Sequence, residues 1–214
     1  MTKPATERRK VPARRSASAV VTAGAPATSE TSSLDPALQR RVVIEGVHPE
    51  VDAGRFAIKR TVGEDVVVGA DIFVDGHDTL AAALLYRKRG EVGWLEVPME
   101  PRGNDRWQGR FRVEELAPYE YTVEAWVDRF GSWRHEVSKK FGAGQDLKSE
   151  LLEGAVLVRD ALLRAPEAAD DDHRVLSETA AVLRDETVGQ PERVASALAA
   201  AVQTAIGQYV DRSM

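Results

Sequence analysis

The residues with the most obvious chemical capacity lie in a short loop, where His77 stands between Asp75 and Asp78. Imidazole and carboxylate groups bind zinc and other transition metals, so this loop is a candidate metal site. The alternative is a polar hairpin turn, because Asp-Gly is a common tight-turn pair and an aspartate accepts bonds from nearby backbone N–H groups. Since no second cluster of metal-binding residues lies nearby in the sequence, we favour the turn and assign neither a metal nor a cofactor.

Paired carboxylates are the second chemical candidate, because glycoside chemistry uses two of them. Glu120 and Glu124 fall on the same face of a predicted strand, and Glu114 and Glu115 precede it. That face is also where alternation places solvent-facing residues, so a solvated strand face is the preferred interpretation. The histidines outside the loop have no serine or carboxylate at a recognisable spacing. The sequence therefore predicts no catalytic residue.

All four tryptophans lie in a region that we predict to be β-structure, and three of them are candidate binding residues. Trp126 falls on the polar face of its strand, so the alternation predicts that its side chain is exposed. An exposed indole on a sheet can stack on a sugar ring, which makes Trp107, Trp126 and Trp133 candidate sugar-stacking residues. The other interpretation is that these side chains are buried against another domain or a partner chain, which is more common for an apolar face.

Two short basic clusters, Arg87-Lys88-Arg89 and Lys139-Lys140, are candidate contacts for a phosphate or another anionic ligand. A solvated surface is the default interpretation for such clusters in an acidic chain. The Gly142-Ala143-Gly144 segment lacks the further glycine and the Lys-Ser/Thr pair of known phosphate-binding loops.

The elements that carry these residues change character near residue 143. Residues 39–142 show the period-two alternation of strands, and Ser132–Ser138 is among the predicted strands. Turn pairs such as Asp75-Gly76 and Phe130-Gly131 separate the strands. Short strands at this spacing predict an antiparallel, immunoglobulin-like β-sandwich.

Residues 143–214 have the three-to-four-residue period of amphipathic helices. The pattern predicts a first helix that ends at Pro166, a second that stops at Gly189 and a third that runs from Pro191 to about Tyr209. Three such helices form a small bundle. The fold class predicted from the sequence is therefore α+β, with the sandwich first and the bundle after it.

Composition restricts the classes of function. The chain has 214 residues, no cysteine and a net charge of −5, so disulfides and thiolate sites are excluded and nucleic acid is not an expected partner. Residues 1–38 carry a net charge of about +3, are rich in Ala, Ser, Thr and Pro, and are predicted to be a disordered tail. No segment has the length and hydropathy of a membrane helix, and we expect a cytoplasmic protein.

Four sequence blocks, taken in order, carry a family resemblance: ADIF-x-DGHD, NDRW, YTVEAWVD-x-F-x-SW and KK-x-x-AGQD-x-x-x-ELLEGA. Over about residues 41–160 they resemble the N-terminal region of the bacterial α-1,4-glucan:maltose-1-phosphate maltosyltransferases. The resemblance implies a sandwich domain with a helical insert, followed in the family by a catalytic (β/α)8 barrel. It also implies retaining transfer of maltosyl units from α-maltose 1-phosphate to α-1,4-glucans.

The resemblance implies further that the family's catalytic residues belong to the barrel, so none is transferred to this sequence. We expect a non-catalytic portion that ends before the barrel, with an incomplete helical insert, and that forms a homodimer through bundle and sandwich. Donor and glucan would then be ligands of the full-length enzyme alone. The alternatives are a stand-alone glucan-binding module, with the three tryptophans as stacking platforms, and a dimerisation scaffold.

Overall fold

The computed structural model describes residues 9–11 and 42–212 of the chain. These residues form eight strands and five helices: β1 Arg9–Val11, β2 Val42–His48, β3 Asp65–Val74, β4 Leu80–Lys88, β5 Trp94–Pro98, β6 Glu100–Gly103, β7 Arg106–Arg112, β8 Tyr119–Val127, α1 Arg129–Gly142, α2 Lys148–Arg164, α3 Asp170–Arg184, α4 Gln190–Leu198 and α5 Ala200–Gln208. The strands precede the helices, which confirms the predicted α+β class. Apart from β1, the predicted tail over residues 1–38 lies outside the described residues.

The chain divides into two compact units. The strand unit contains the described residues up to Asp75 together with Ala81–Trp126. The helical unit contains Gly76–Leu80 and the residues from Val127 onward. The short segment Gly76–Leu80 therefore belongs to the helices, although it connects β3 to β4.

The strand unit is a sandwich of two antiparallel sheets. Sheet 1 has the order β1-β5-β4-β8 and sheet 2 has the order β2-β3-β7-β6. Alternate residues of β3, from Val66 to Ile72, point into the space between the sheets and are buried, as the period-two pattern predicts. The ring of Tyr86 on sheet 1 stacks on Phe111 of sheet 2, with the ring centroids 4.3 Å apart. This aromatic contact fixes the two sheets face to face.

The helical unit has its own core, which is built from the apolar stripes of all five helices. Leu151 and Val158 of α2 are fully buried, and so are Leu176 and Leu183 of α3. Their spacings of seven residues place each pair on one side of its helix, so the two stripes can face each other across the α2–α3 contact.

The predicted strand over Ser132–Ser138 is wrong, because these residues lie within α1. The start of α1 is capped by Asp128, whose Oδ1 accepts a hydrogen bond from the Gly131 N–H at 2.8 Å. Phe130, Trp133 and Val137 then recur at helical spacing and are buried. The change from strand to helix thus occurs at Asp128, fifteen residues before the composition suggests.

The predicted third helix is also different in the structure, because the chain turns at Ala199 and divides it into α4 and α5. Ala199 has an extended ψ of 141°. The carbonyl of Leu198, the last residue of α4, accepts a hydrogen bond from Arg134 of α1. Apolar periodicity continues through such a break, so the sequence pattern does not reveal it.

One contact between α1 and α2 requires a glycine. The Trp133 indole N–H donates to the carbonyl oxygen of Glu150 at 2.7 Å, and the ring lies against Gly154 one turn further along α2. A Cβ atom at position 154 would lie 2.1 Å from Cζ2 of the indole. Only glycine leaves room for this tryptophan, so the α1–α2 contact depends on both residues.

We predict that Gly154→Ala lowers the free energy of unfolding by about 2 kcal/mol. Overpacking of a core lowers the free energy of unfolding by up to about 3 kcal/mol, and the better helix propensity of alanine raises it by about 1 kcal/mol. Urea unfolding followed by far-UV circular dichroism measures the difference.

Gly207→Ala is the matched control, since Gly207 is an exposed helical glycine with no atom within 4 Å of the added Cβ. This variant should be as stable as the parent or slightly more stable. Equal stability of both variants would contradict the role assigned to Gly154.

Candidate functional site

The start of α1 is hydrogen-bonded to the segment that connects β3 to β4. The backbone N–H of Asp128 donates to the carbonyl of Thr79 at 2.7 Å, and the Thr79 N–H donates to the hydroxyl oxygen of Ser132 at 2.8 Å. The same hydroxyl donates to the carbonyl of Asp128 at 2.9 Å. These side chains anchor the start of α1 to the Gly76–Leu80 segment, so their polar atoms are engaged in folding.

The Asp75–Asp78 loop lies between β3 and β4, directly before Thr79. Within residues 9–11 and 42–212, no group of three or more His, Cys, Asp or Glu side chains gathers as a metal ion would require. The loop therefore carries no metal assignment. The loop connects two strands, and the hydrogen bonds of Thr79 hold the end of this connection in place.

Glu120, one of the candidate carboxylates, is held between two arginines. Arg87 donates to its Oε2 from Nε and Nη2 at 3.1 and 3.0 Å, and Arg89 donates to Oε1 at 3.1 Å. The guanidinium of Arg87 also lies 4.2 Å from the ring centroid of Trp94. The hydrogen bond from Arg87 lowers the pKa of Glu120. A lowered pKa suits an ion pair and is the opposite of what a general acid requires.

The predicted basic clusters have carboxylate partners in the structure. In the first cluster, Glu120 binds both arginines, and Lys88 binds Glu115 at 2.7 Å. In the second cluster, Lys140 lies between Glu136 and Glu150. The hydrogen bonds that Lys140 donates to these two carboxylates raise its pKa, and Lys140 in turn lowers the pKa of Glu150. Of the two clusters, only the exposed Lys139 has no carboxylate partner among the described residues.

Two of the three candidate tryptophans are buried in the structure. Trp126 is 6% exposed and Trp133 is 3% exposed, so the prediction that Trp126 is exposed is wrong. Trp107 shares its side of β7 with Phe111, which faces the core, and it is partly buried. The buried rings of Trp126 and Trp133 have no free face for a sugar.

A polar hollow lies instead on the outward face of sheet 2, and sequence reasoning missed it. Its volume is about 520 Å³, and we call it the β3–β7 hollow. Gly69 and Gln108 face each other across β3 and β7, as do Asp71 and Arg106. The backbones of Ala70 and Trp107 lie between these pairs. The remaining lining residues are His48 of β2 and Arg102 of β6.

The outward positions of β7 were accessible from the alternation, because Arg106, Gln108 and Arg110 occupy every second residue. The contribution of His48 could not be predicted from the alternation. A register shift in β2 between Glu45 and His48 is needed to bring His48 opposite Gly69. A bulge of this kind has no reliable signature in a single sequence.

An exposed apolar stripe runs along α2. Leu152 and Val156 are each 41% exposed and Leu163 is 76% exposed. Val156 follows Leu152 by four residues and Leu163 follows Val156 by seven, so the three lie on one side of the helix. This side is next to the one that Leu151 and Val158 bury in the core. Large apolar side chains that share one exposed helix face are typical of an interaction surface. Among the described residues, no helix is long and apolar enough to cross a membrane.

Comparison with known proteins adds a family match. Residues 40–214 match the family model described as "Alpha-1,4-glucan:maltose-1-phosphate maltosyltransferase, domain N/S". A protein of that enzyme name from Myxococcus xanthus is 47% identical over 178 residues, which are 81% of this chain and 26% of the relative. Another from Chlorobaculum tepidum is 43% identical over 176 residues, 82% of this chain and 26% of the relative. The chain therefore spans about a quarter of the length of these relatives.

The Lys140–Glu150 pair predicts a pH dependence of stability. The pKa of Glu150 is lower in the folded chain than its ordinary value of 4.5, so the ion pair stabilises the fold fully above that pH. This contribution is lost as the pH falls through the lower, folded pKa. We therefore predict that Glu150→Gln destabilises the chain at neutral pH, and that the difference from the parent shrinks below pH 4.5.

Urea unfolding at neutral and acidic pH checks this prediction. Glu167→Gln is the control, since Glu167 is exposed in the connection between α2 and α3 and makes no ion pair with any other described residue. If both variants change stability equally at both pH values, the assigned role of the Lys140–Glu150 pair is refuted.

Proposed function

The chain belongs to the domain N/S family of the α-1,4-glucan:maltose-1-phosphate maltosyltransferases, and we propose that it is the N-terminal, non-catalytic portion of such an enzyme. The enzyme would transfer maltosyl units from α-maltose 1-phosphate to α-1,4-glucans. The match over residues 40–214, combined with coverage of about a quarter of each relative, is the observation that supports this assignment.

The titration of the carboxylates supports a non-catalytic role for the described residues. Retaining glycosyl transfer uses one carboxylate as nucleophile and a second carboxyl group, with a raised pKa, as general acid. Glu120, Glu150, Asp185 and Glu186 have pKa values shifted downward, each first by a side-chain hydrogen bond. They are therefore suited to holding ion pairs and hydrogen bonds, and the proposal leaves the transfer chemistry to another part of the enzyme.

Homodimer formation is part of the proposal, and the apolar stripe on α2 is its most direct support. A twofold axis near Val156 would set the α2 helices of two copies antiparallel. Glu153 of each copy would then face Arg159 of the other, on either side of a contact between the two Val156 side chains. A stripe that complements itself in this way suits an isologous interface.

The sandwich would contribute to the full-length enzyme by packing on the catalytic barrel. The absence of cysteine is compatible with the proposed cytoplasmic location. The alternative function is a stand-alone glucan-binding or dimerisation module.

The first prediction tests catalysis. The purified chain, mixed with α-maltose 1-phosphate and an α-1,4-glucan acceptor, should release no phosphate above background, because the proposal assigns it no general acid. The relative from Myxococcus xanthus is the positive control under the same conditions. Phosphate release by a contaminant-free sample of the chain would refute the non-catalytic assignment.

The second prediction tests the α2 stripe. Sedimentation velocity over a range of concentrations should detect a dimer of the parent chain. Val156→Glu should weaken that dimer by at least about tenfold in Kd, because it buries an unpaired charge at the interface.

Leu116→Glu is the control, because Leu116 is 96% exposed in the connection between β7 and β8. It should leave the dimer unchanged. A parent chain that stays monomeric at every concentration, or an equal effect of the two variants, would exclude α2 as the dimer surface.

A further inference from the structure

The floor of the β3–β7 hollow is formed where the ring of His48 packs on a glycine. Gly69 lies on the outward face of β3, opposite Gln108, and a Cβ atom there would lie 2.4 Å from the ring of His48. The missing side chain lets the imidazole lie against the strand. The imidazole therefore forms the floor, with Asp71 and Arg106 on one side and Gln108 on the other. A ligand in the hollow would rest on this ring.

The orientation of His48 leaves one ring nitrogen as a hydrogen-bond acceptor. Its Nδ1 lies 2.9 Å from the carbonyl oxygen of Gly46, and a carbonyl oxygen only accepts, so Nδ1 carries the proton. In the neutral imidazole Nε2 is then an acceptor. Nε2 is one of the ring atoms that lie against Gly69, at the floor of the hollow.

Donors and acceptors alternate around the hollow. Arg102 binds Glu100 at 2.9 Å, and Arg106 lies 4.0 Å from Asp71. Gln108 carries both an amide donor and an amide acceptor. Each positive group therefore has a carboxylate beside it, so the walls carry little net charge.

This arrangement selects the chemical class of the ligand. A phosphate offers only acceptor oxygens and a negative charge, which Asp71 and Glu100 would repel. A hydroxyl both donates and accepts, so neighbouring hydroxyls can bind a guanidinium and a carboxylate at the same time. The polar groups thus match a neutral chain rich in hydroxyl groups.

We propose that the β3–β7 hollow binds a short segment of a neutral α-1,4-glucan, with Arg106, Asp71 and Gln108 as its main hydrogen-bonding residues. The choice of this glucan among neutral saccharides rests on the proposed function. The volume of about 520 Å³ lies within the range of small-ligand sites, so the hollow has room for a few sugar units. Trp107, one of the three tryptophans predicted from the sequence, also lines the hollow.

Affinity electrophoresis of the full 214-residue chain in gels that contain soluble amylose tests the proposal. The parent chain should be retarded relative to a gel without glucan. Arg106→Ala should weaken binding by roughly tenfold, the effect expected for loss of a charged hydrogen-bond donor. Arg110→Ala is the matched control, because Arg110 occupies the same face of β7 but does not line the hollow, and it should bind like the parent.

Gln108→Ala provides a second variant in the same assay, and far-UV circular dichroism verifies that each variant is folded. No retardation of the parent, equal loss in Arg106→Ala and Arg110→Ala, or tighter binding of maltose 1-phosphate than of maltose in a titration would each overturn the proposal. These results are independent of phosphate release. Failure of glucan binding would leave the non-catalytic assignment standing, whereas phosphate release would refute that assignment without bearing on the hollow.

Discussion

The helical unit depends on how the carbonyl groups at its helix ends are satisfied. The last carbonyls of an α-helix have no donor within the helix, and leaving them buried without one is costly. Here arginines from other helices supply the donors. Arg193 of α4 binds the carbonyl of Leu183 in α3, Arg134 of α1 binds that of Leu198 in α4, and Arg164 of α2 binds that of Tyr209 after α5. The positive charges also face the negative ends of the helix dipoles.

These cross-helix caps restrict the geometry more than apolar contact does. A hydrophobic stripe tolerates rotation and sliding, whereas a guanidinium must meet a particular carbonyl within hydrogen-bond distance. Arg193 is the clearest case, because its side chain is buried with the α3 carbonyl as its hydrogen-bond acceptor. Arg134 lies in addition over the ring of Phe130, which stacks on Trp133. One of the caps and the aromatic contacts therefore both involve α1. The start of this helix is fixed in turn by the hydrogen bonds at Asp128.

The sequence predicted those parts of the fold that depend on periodicity. Alternation identified β3 and its buried face, and the apolar stripes identified α2 and α3, because burial selects residue type at each inward position. It failed where a single local interaction decides the outcome. The Asp128 cap makes a helix of residues predicted as strand, and the turn at Ala199 divides a continuous apolar pattern. The hollow depends on a bulge in β2 that brings His48 over Gly69, which alternation does not encode.

The same physical reasoning separates residues that maintain this structure from residues that remain available to a ligand. Asp128, Ser132 and Trp133 belong to the sequence blocks of the family resemblance, and each uses its polar atoms within the helical unit. Their presence in those blocks is thus explained by folding. Glu120 and Lys140 are engaged in ion pairs in the same way. The outward side chains of the β3–β7 hollow include a looser pair, Arg106 and Asp71 at 4.0 Å, and they line an open volume. Binding surfaces of this chain are therefore to be sought where its polar groups are least committed to the fold.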